Sequence, residues 1–230
     1  MNMARFHPAL DQPDTIDYDE ISPDARFHHS NTEVHYAGDR DSDLFDLYWG
    51  WHDRRYAESI RVRVSAPMYT SQGISADASD ELMPLVTRFF PGYQETVYGS
   101  EGVIVSKRTF APLESNYDRA ALWLLECQAE GHRLVRIEVE IEWGRRLEQR
   151  IVDGLLVAQL APREASGLHD QRNAESTRVF GAAEGRPDYY NLFDGSRAYL
   201  LYHVLVVGQV DLPLILTLSD VGEQVAWNGF

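Results

Sequence analysis

Apolar and polar residues alternate with a period of two over much of this chain. Arg136–Trp143 alternates strictly, with isoleucine, valine and tryptophan at one set of positions and glutamate at the other. Ile60–Val64 repeats the pattern with arginine at the polar positions. A period of two places successive side chains on opposite faces of a strand, so both segments predict half-buried strands.

Further apolar runs predict a series of strands along the second half of the chain. Leu155–Leu160 and Leu200–Val207 are apolar at successive positions, which predicts central strands covered on both faces. Turn-forming pairs, Glu130-Gly131, Asp153-Gly154 and Asp194-Gly195, separate the runs. The predicted strands are Val103–Phe110, Ala121–Ala129, Leu134–Trp143, Leu147–Val152, Leu155–Leu160, Thr177–Ala182, Ala198–Val207 and Leu214–Leu218.

The number and spacing of these strands predict the fold class. Short connections favour antiparallel pairing, and eight or more strands need two stacked sheets or a closed barrel. We predict an all-β fold, a large antiparallel two-sheet β-sandwich with one or two short helices. The helix prediction covers residues 76–90, where Leu82, Leu85, Val86 and Phe89 share one helical face.

The first 43 residues differ from the remainder in composition. They are polar and rich in aspartate, histidine and proline, with a short strand predicted near Thr32–Tyr36. We therefore predict an acidic arm, residues 1–43, packing on a β-sandwich domain, residues 44–230.

Composition narrows the range of partners. The net charge is −15, and Lys107 is the only lysine, so neither nucleic acid nor an anionic membrane is an expected partner. A neutral polyol such as a sugar is compatible with this charge. The single cysteine, Cys127, excludes an internal disulfide and, with no signal peptide predicted, favours a cytoplasmic location. Cys127 lies within an apolar strand, which predicts a buried, inert thiol.

Three glutamates share the polar face of the predicted strand 134–143. Glu138, Glu140 and Glu142 are spaced by about 7 Å, which geometry alone would allow for glycoside hydrolysis. Neighbouring arginines, Arg136 among them, predict instead that they remain ionised on a solvated face.

The metal-like patterns of the arm are incomplete. Asp39-x-Asp41-x-Asp43 begins like a calcium loop but lacks the required glycine and final glutamate, so it predicts a solvated acidic turn. His28, His29 and His35 have no cysteine nearby, which predicts a loop cluster of histidines. We expect no metal and no cofactor.

A sugar epimerase would need histidines and a glutamate in one cleft. His169, His203 and Glu126 could be placed in these roles, but no motif links them. A histidine within a strand is more commonly structural.

Two dense aromatic clusters remain as candidate contact residues. They supply Trp49 and Trp51 in the first cluster and Tyr189, Tyr190 and Asn191 in the second. Such rings fill cores and interfaces, and they also stack on the apolar faces of sugars. We expect these two clusters to lie in the core or at an interface, and we take stacking on a sugar as the second interpretation.

One segment resembles a known family. A Gln-Glu-x-x-Tyr turn is followed by a strand that ends Lys-Arg-x-Phe-Ala-Pro, spanning Gln94 to Pro112. This segment resembles the N-terminal β-sandwich of glucoamylase-like and amylo-α-1,6-glucosidase-like glycoside hydrolases, and the order of strands from Leu44 to Phe230 is similar.

The resemblance implies a supersandwich of the galactose-mutarotase-like type. In that family the sandwich packs against an (α/α)6 barrel, which carries the catalytic carboxylates, so no catalytic residue transfers to this chain. It implies a non-catalytic domain of a glycoside-hydrolase-like parent, with the barrel or a carbohydrate as partner. A stand-alone carbohydrate-binding module and a mutarotase-like epimerase are the alternatives, and a homodimer is compatible with each.

Overall fold

The chain folds into strands from end to end of the described region. The computed structural model describes residues 14–31, 33–49, 54–70, 73–90, 92–100, 102–112, 119–160 and 177–219. The strands are β1 (Asp14–Asp17), β2 (Phe27–Ser30), β3 (Val34–Gly38), β4 (Leu44–Trp49), β5 (Arg54–Thr70), β6 (Gly73–Glu81), β7 (Met83–Phe90), β8 (Tyr93–Ser100), β9 (Val103–Phe110), β10 (Ala120–Glu142), β11 (Glu148–Val152), β12 (Leu155–Gln159), β13 (Thr177–Ala182), β14 (Tyr189–Phe193) and β15 (Arg197–Ser219).

All fifteen strands belong to one antiparallel sheet. Its main path runs β1-β7-β8-β9-β10-β15-β13-β12-β11. The strands β2, β3, β4 and β5 join it in sequence through the pairing of β5 with β10, β6 pairs with β5, and β14 pairs with β15. The all-β antiparallel fold class is confirmed.

Two long strands connect the two halves of this sheet. The first half of β10 pairs with β9 and the second half with β5, while β15 pairs with β10 throughout. The ladder is interrupted between Ala129 and His132, where Gly131 and Gly208 both have φ of 76°. A bulge of this kind bends paired strands.

The bend folds the sheet into two facing layers. Layer A contains β1, β7, β8, β9, β11, β12 and β13; layer B contains β2–β6 and β14. Contacts join them: the Lys107 Nζ of β9 donates to the Val62 carbonyl of β5 at 2.8 Å, and the Arg178 Nε of β13 donates to the Tyr56 carbonyl of β5 at 2.9 Å. The molecule is therefore a two-layer β-sandwich made from one sheet.

The core lies between the layers. Alternate residues of β10 are buried on both sides of the bend, because the two extra residues at the bulge preserve the period of two, while residues 128–134 at the bend itself are exposed or half-buried. The buried residues include Trp123, Leu125, Ile137 and Val139. The strict alternation of Arg136–Trp143 is confirmed, since its glutamates lie on the outer face.

Several sequence predictions were wrong. Residues 76–90 form no helix: Met83–Phe90 is strand β7, paired with β1 and β8. Among the described residues the sole helical element is a 3₁₀ turn at Tyr18–Glu20. The helical spacing of apolar residues arose because β7 contains a register shift between Pro84 and Val86, which disturbs the simple alternation.

The predicted strand ends near the bend were also wrong. Glu130-Gly131 is a bulge inside the continuous strand β10, and Ala198–Val207 and Leu214–Leu218 are parts of the single strand β15. Leu200–Val207 is not covered on both faces, since Leu205 and Val207 are more than half exposed. By contrast, β12 is buried on both faces along Leu155–Ala158, as predicted.

The described part of the acidic arm enters the sheet. β1 pairs with β7 of layer A, and β2 and β3 extend layer B next to β4. The strand predicted near Thr32–Tyr36 is β3, shifted slightly toward Gly38. No helix among the described residues has the length and apolar character needed to cross a membrane.

Candidate functional site

The first predicted aromatic cluster lies in the core. Trp49 is 1% exposed, its indole Nε1 donates to Glu33 Oε2 at 2.7 Å, and its ring packs 5.6 Å from that of Tyr56. Burial removes the Trp49 ring face from contact with a ligand. Trp51 lies outside the described residues.

The second cluster lies at the surface. Tyr189 and Tyr190 are 53% and 49% exposed and Asn191 is half-buried, all on β14. The Tyr189 ring meets Tyr199 edge to face at 6.2 Å. Three strands separate β14 from β4, about 19 Å at the usual strand spacing, so the structure does not bring Trp49 to this cluster.

The outer glutamates of β10 have polar partners, one on β10 itself and two on the neighbouring strand β5. The Arg136 Nε lies 2.8 Å from Glu138, the Arg63 Nη1 lies 3.3 Å from Glu140, and the Ser59 hydroxyl donates to Glu142 at 3.1 Å. This is the predicted solvated face of ionic pairs, rather than a pair of catalytic carboxylates.

The residues considered for an epimerase do not converge. The His203 Nδ1 lies 3.2 Å from an Asp188 carboxylate oxygen, while Glu126 pairs with Arg108 at 3.4 Å. His203 lies opposite Arg136, ten residues along β10 from Glu126, which is roughly 33 Å of extended strand. His169 lies outside the described residues.

The acidic turn at Asp39–Asp43 is not solvated as the sequence predicted, since Ser42 and Asp43 are buried and the other three residues are half-buried. The Asp39 carboxylate accepts the backbone N–H groups of Asp41 and Asp43, each at 3.0 Å. The Asp43 carboxylate accepts the Lys107 ammonium at 2.7 Å and the Val62 N–H at 2.9 Å. Burial raises the pKa of Asp43 to about 6, although the adjacent ammonium opposes the rise.

The only lysine of the chain is thus 0% exposed, at the centre of the sandwich. Side chains of layer A also donate to the backbone carbonyls of the Asp39–Asp43 turn, so the turn is held along its length. The donors are Thr87, Gln94, Thr96, Tyr98 and Thr109. The Asp39 and Asp43 carboxylates accept hydrogen bonds within this buried network. Among the described residues, no group of three or more histidine, cysteine, aspartate or glutamate side chains could hold a metal ion.

An aromatic cleft lies where the edges of the two layers meet. We call it the edge cleft; it has a volume of about 480 Å³. It lies between β2 of layer B and the hairpin that joins β7 to β8 in layer A. Its lining residues are Arg26, Phe27, His28, His29, Ser30, Phe89, Phe90, Gly92 and Tyr93.

Paired rings form the apolar walls of the edge cleft. The Phe27 and Phe89 rings are 4.3 Å apart and join the two layers. The Phe90 and Tyr93 rings stack at 4.2 Å with an interplanar angle of 13°, on either side of the Gly92 turn. Both residues of each pair line the cleft.

Polar groups complete the lining. The His29 ring stacks 5.1 Å from Tyr36, and its Nε2 lies 3.4 Å from Gln94 Oε1. Burial lowers the pKa of His29, so its imidazole is neutral near pH 7 and presents one donor and one acceptor. His28 and Ser30 are exposed on the same strand.

The sequence reasoning did not identify this cleft. It predicted a loop cluster for His28 and His29, whereas both lie on β2. Phe89 was assigned to a helix face. Phe27–Ser30 has one apolar residue and no alternation in its sequence, and no local signal places this segment beside Phe89 and Tyr93.

Comparison with known proteins gives no family assignment. No protein-family model matches the chain, and no curated protein matches its sequence significantly. Among solved structures, the chain is similar to one assigned as a kojibiose phosphorylase from the human microbiome. The two share 8% sequence identity with a TM-score of 0.44, and the match covers 85% of this chain and 25% of the other. The heparan sulfate lyase HepC of Pedobacter heparinus matches at 5% identity and 0.43, over 83% and 34%.

The GH36 α-galactosidase AgaA of Geobacillus stearothermophilus matches at 12% identity and a TM-score of 0.43, over 86% of this chain and 41% of that enzyme. This chain therefore spans between a quarter and two fifths of these carbohydrate-active proteins. Similarity at this level decides neither the family nor the function of the chain.

Proposed function

We propose that the chain is a non-catalytic β-sandwich domain that binds a neutral carbohydrate in the edge cleft. The observation that carries the proposal is the two ring contacts on the walls of one cleft, Phe27 tilted against Phe89 and Phe90 stacked on Tyr93. Rings held in this way offer flat apolar faces, which suit the apolar face of a sugar ring.

The polar lining fits the hydroxyl groups of such a ligand. The His29 Nε2 faces Gln94 Oε1, which leaves Nδ1 of the neutral imidazole to accept from a hydroxyl group, and Ser30 adds a hydroxyl group of its own. The volume of about 480 Å³ falls in the usual range for small-molecule sites. Among the described residues that line the cleft there is no glutamate or aspartate, so this part of the lining lacks the carboxylate pair of a glycosidase.

Isothermal titration calorimetry with maltooligosaccharides and with galactose tests this proposal. We expect binding by the unmodified chain and a loss of about tenfold or more in affinity for Tyr93→Ala, because one ring of a wall is removed. Tyr189→Ala serves as the matched control, since it removes an exposed tyrosine on β14. Thermal unfolding of both variants verifies that each is folded.

Two results would contradict the edge cleft as the site. Loss of binding in Tyr189→Ala with binding intact in Tyr93→Ala would move the sugar to β14. No heat of binding with any of these sugars at millimolar concentration would remove the carbohydrate role.

A second candidate function is that of a docking domain for a helical partner, as the family resemblance implies. Met83, Leu85 and Ile104 are each about half exposed or more, and they surround Gly99 on the outer side of layer A. Leu85 packs directly over Gly99, because a Cβ atom there would lie 2.9 Å from Leu85 Cδ1. Exposed apolar groups of this kind mark contact surfaces when they are contiguous.

Reading the coding sequence beyond the codon for Phe230 tests the docking role. Several hundred codons that encode repeated amphipathic helices would support it. A stop codon at that point would leave the surface without the proposed covalent partner and would favour the sugar-binding module.

A further inference from the structure

The free edges of the sheet differ in how they are protected from other strands. Within the described part of the chain, five strands pair with one neighbour only: β1, β2, β6, β11 and β14. An unprotected edge strand offers unpaired backbone groups to another strand, and natural proteins discourage this with charged residues.

Four of the five edges carry charged or ionisable residues. β1 contains Asp14 and Asp17, β11 contains Glu148 and Arg150, β2 contains two histidines, and β6 contains three acidic residues. β14 reads Tyr-Tyr-Asn-Leu-Phe and contains neither a histidine nor a residue that is charged near pH 7. In a chain of which 25% is charged, β14 is the exception among these edges.

The aromatic residues of β14 are also exposed. Tyr189, Tyr190 and Phe193 are 53%, 49% and 40% exposed. Successive residues of a strand point to opposite faces, so Tyr189 and Tyr190 present apolar surface on both sides of the same edge. A strand added at this edge would cover both rings.

We propose that β14 pairs with β14 of a second copy of this chain, in antiparallel register about a two-fold axis at Asn191. The strand is complementary to itself in this register. Tyr189 lies opposite Phe193 of the second copy, Tyr190 lies opposite Leu192 of the second copy, and the two Asn191 residues face each other. Two-fold dimers are the commonest symmetric assemblies, and antiparallel pairing is the arrangement that a two-fold axis across an edge requires.

Each paired position brings together groups that suit a cross-strand contact. Aromatic rings opposite apolar or aromatic side chains are among the stabilising cross-strand pairs. The two Asn191 amides can exchange hydrogen bonds, because each has a donor and an acceptor. The dimer would join layer B of one copy to layer B of the other in one continuous sheet.

Charge at the ends of the strand predicts how this dimer responds to salt. In the same register Asp188 meets Asp194 of the second copy at both ends, and each copy carries a net charge of −15. The contacts between aspartates and the repulsion between the two negatively charged copies both oppose association, and salt screens both. Association should therefore become stronger with added salt, the reverse of an assembly held by ion pairs.

Sedimentation equilibrium with the full chain tests the association. We expect a monomer–dimer equilibrium that shifts toward the dimer when NaCl is raised from about 0.05 M to about 0.3 M. Tyr190→Lys places a charge on the edge, opposite an apolar residue, and should raise the dissociation constant about tenfold or more. Met83→Lys is the matched control, because Met83 is an exposed apolar residue of layer A, and it should leave the constant unchanged.

A disulfide tests the register itself. Directly opposed residues of an antiparallel pair have Cα atoms about 4.5–5.5 Å apart, which lies within disulfide geometry. Asn191→Cys should therefore form a covalent dimer under mild oxidation, while Ile104→Cys, also exposed, should not. Cys127 is fully buried and does not compete in the folded chain.

Three outcomes would overturn the proposal. They are a monomer at all concentrations and both salt levels, equal effects of Tyr190→Lys and Met83→Lys, and no preference of Asn191→Cys over Ile104→Cys in cross-linking. This inference does not depend on sugar binding in the edge cleft, since the two sites share no residue.

Discussion

Removing one partner of the Lys107–Asp43 pair should destabilise the sandwich strongly. Lys107 is 0% exposed, and its Nζ makes hydrogen bonds to the Asp43 carboxylate and to the Val62 carbonyl. Asp43→Asn removes the negative charge and leaves the ammonium buried without a counter-ion. Breaking one side of a buried pair typically costs about 3–5 kcal/mol in the free energy of unfolding.

The loss of unfolding free energy in Asp43→Asn can be measured by urea unfolding, and the change in Tm by thermal unfolding, both followed by circular dichroism. For a chain of this size each kcal/mol lowers Tm by about 2–4 °C, so Asp43→Asn should lower it by about 6–20 °C. Lys107→Met should also destabilise, because Asp43 then lies buried without the ammonium. The double variant should recover part of the loss, with a coupling free energy of about 2–3 kcal/mol.

A surface pair supplies the control for this cycle. Arg63 of β5 and Glu140 of the neighbouring strand β10 lie 3.3 Å apart, but their side chains are 60% and 38% exposed. Glu140→Gln should cost less than about 1 kcal/mol. Two results would contradict a stabilising Lys107–Asp43 pair. One is a loss of unfolding free energy in Asp43→Asn that is no larger than in Glu140→Gln, and the other is simple additivity of the losses in Asp43→Asn and Lys107→Met.

Three further predictions concern other parts of the molecule. Burial alone would raise the pKa of Glu95, but hydrogen bonds from a serine and two arginines together lower it. Glu95→Gln should therefore cost about 1–3 kcal/mol at pH 7. This cost should begin to decline near pH 4, the usual range of a glutamate pKa, and should be lost as the pH falls further through the lowered pKa of the folded state, which a pH series of urea midpoints would show. Burial raises the pKa of the Cys127 thiol to about 12, so Ellman's reagent should modify it only in denaturant, and rapid reaction in buffer would contradict its placement. Gly195→Ala should lower the free energy of unfolding by at least about 2 kcal/mol, because Gly195 has φ of 80° and the added Cβ atom would lie 2.4 Å from the Leu147 carbonyl oxygen. Gly131→Ala should cost only about 1–2 kcal/mol, because Gly131 has a similar φ but open space around the position of the Cβ atom.

Local patterns in the sequence were sufficient for several elements. The alternation of Arg136–Trp143 predicted both the strand and its buried face. Asp153-Gly154 predicted the turn between β11 and β12, where both residues have positive φ. These predictions succeeded because side-chain period and turn dihedrals depend on neighbouring residues.

The same local reasoning failed where several backbone outcomes fit one pattern. Glu130-Gly131 suits a hairpin turn and a bulge equally, and pairing with β15 selects the bulge. The spacing of apolar residues in 82–89 suits a helix, but the neighbouring strands β1 and β8 satisfy the backbone of this segment as a strand.

By itself, then, the sequence determined an all-β antiparallel protein with an acidic, lysine-poor surface, because period, turn residues and charge are properties of adjacent positions. Only the tertiary structure decided that the one lysine is buried against Asp43, 64 positions away, and that His29 meets Gln94 across 65 positions at the edge cleft. It also decided that Trp49 lies in the core while Tyr189 and Tyr190 lie at an edge. The physical reason is that burial depends on which strands face each other, and the bend in β10 and β15 sets that arrangement through contacts between residues distant in the chain.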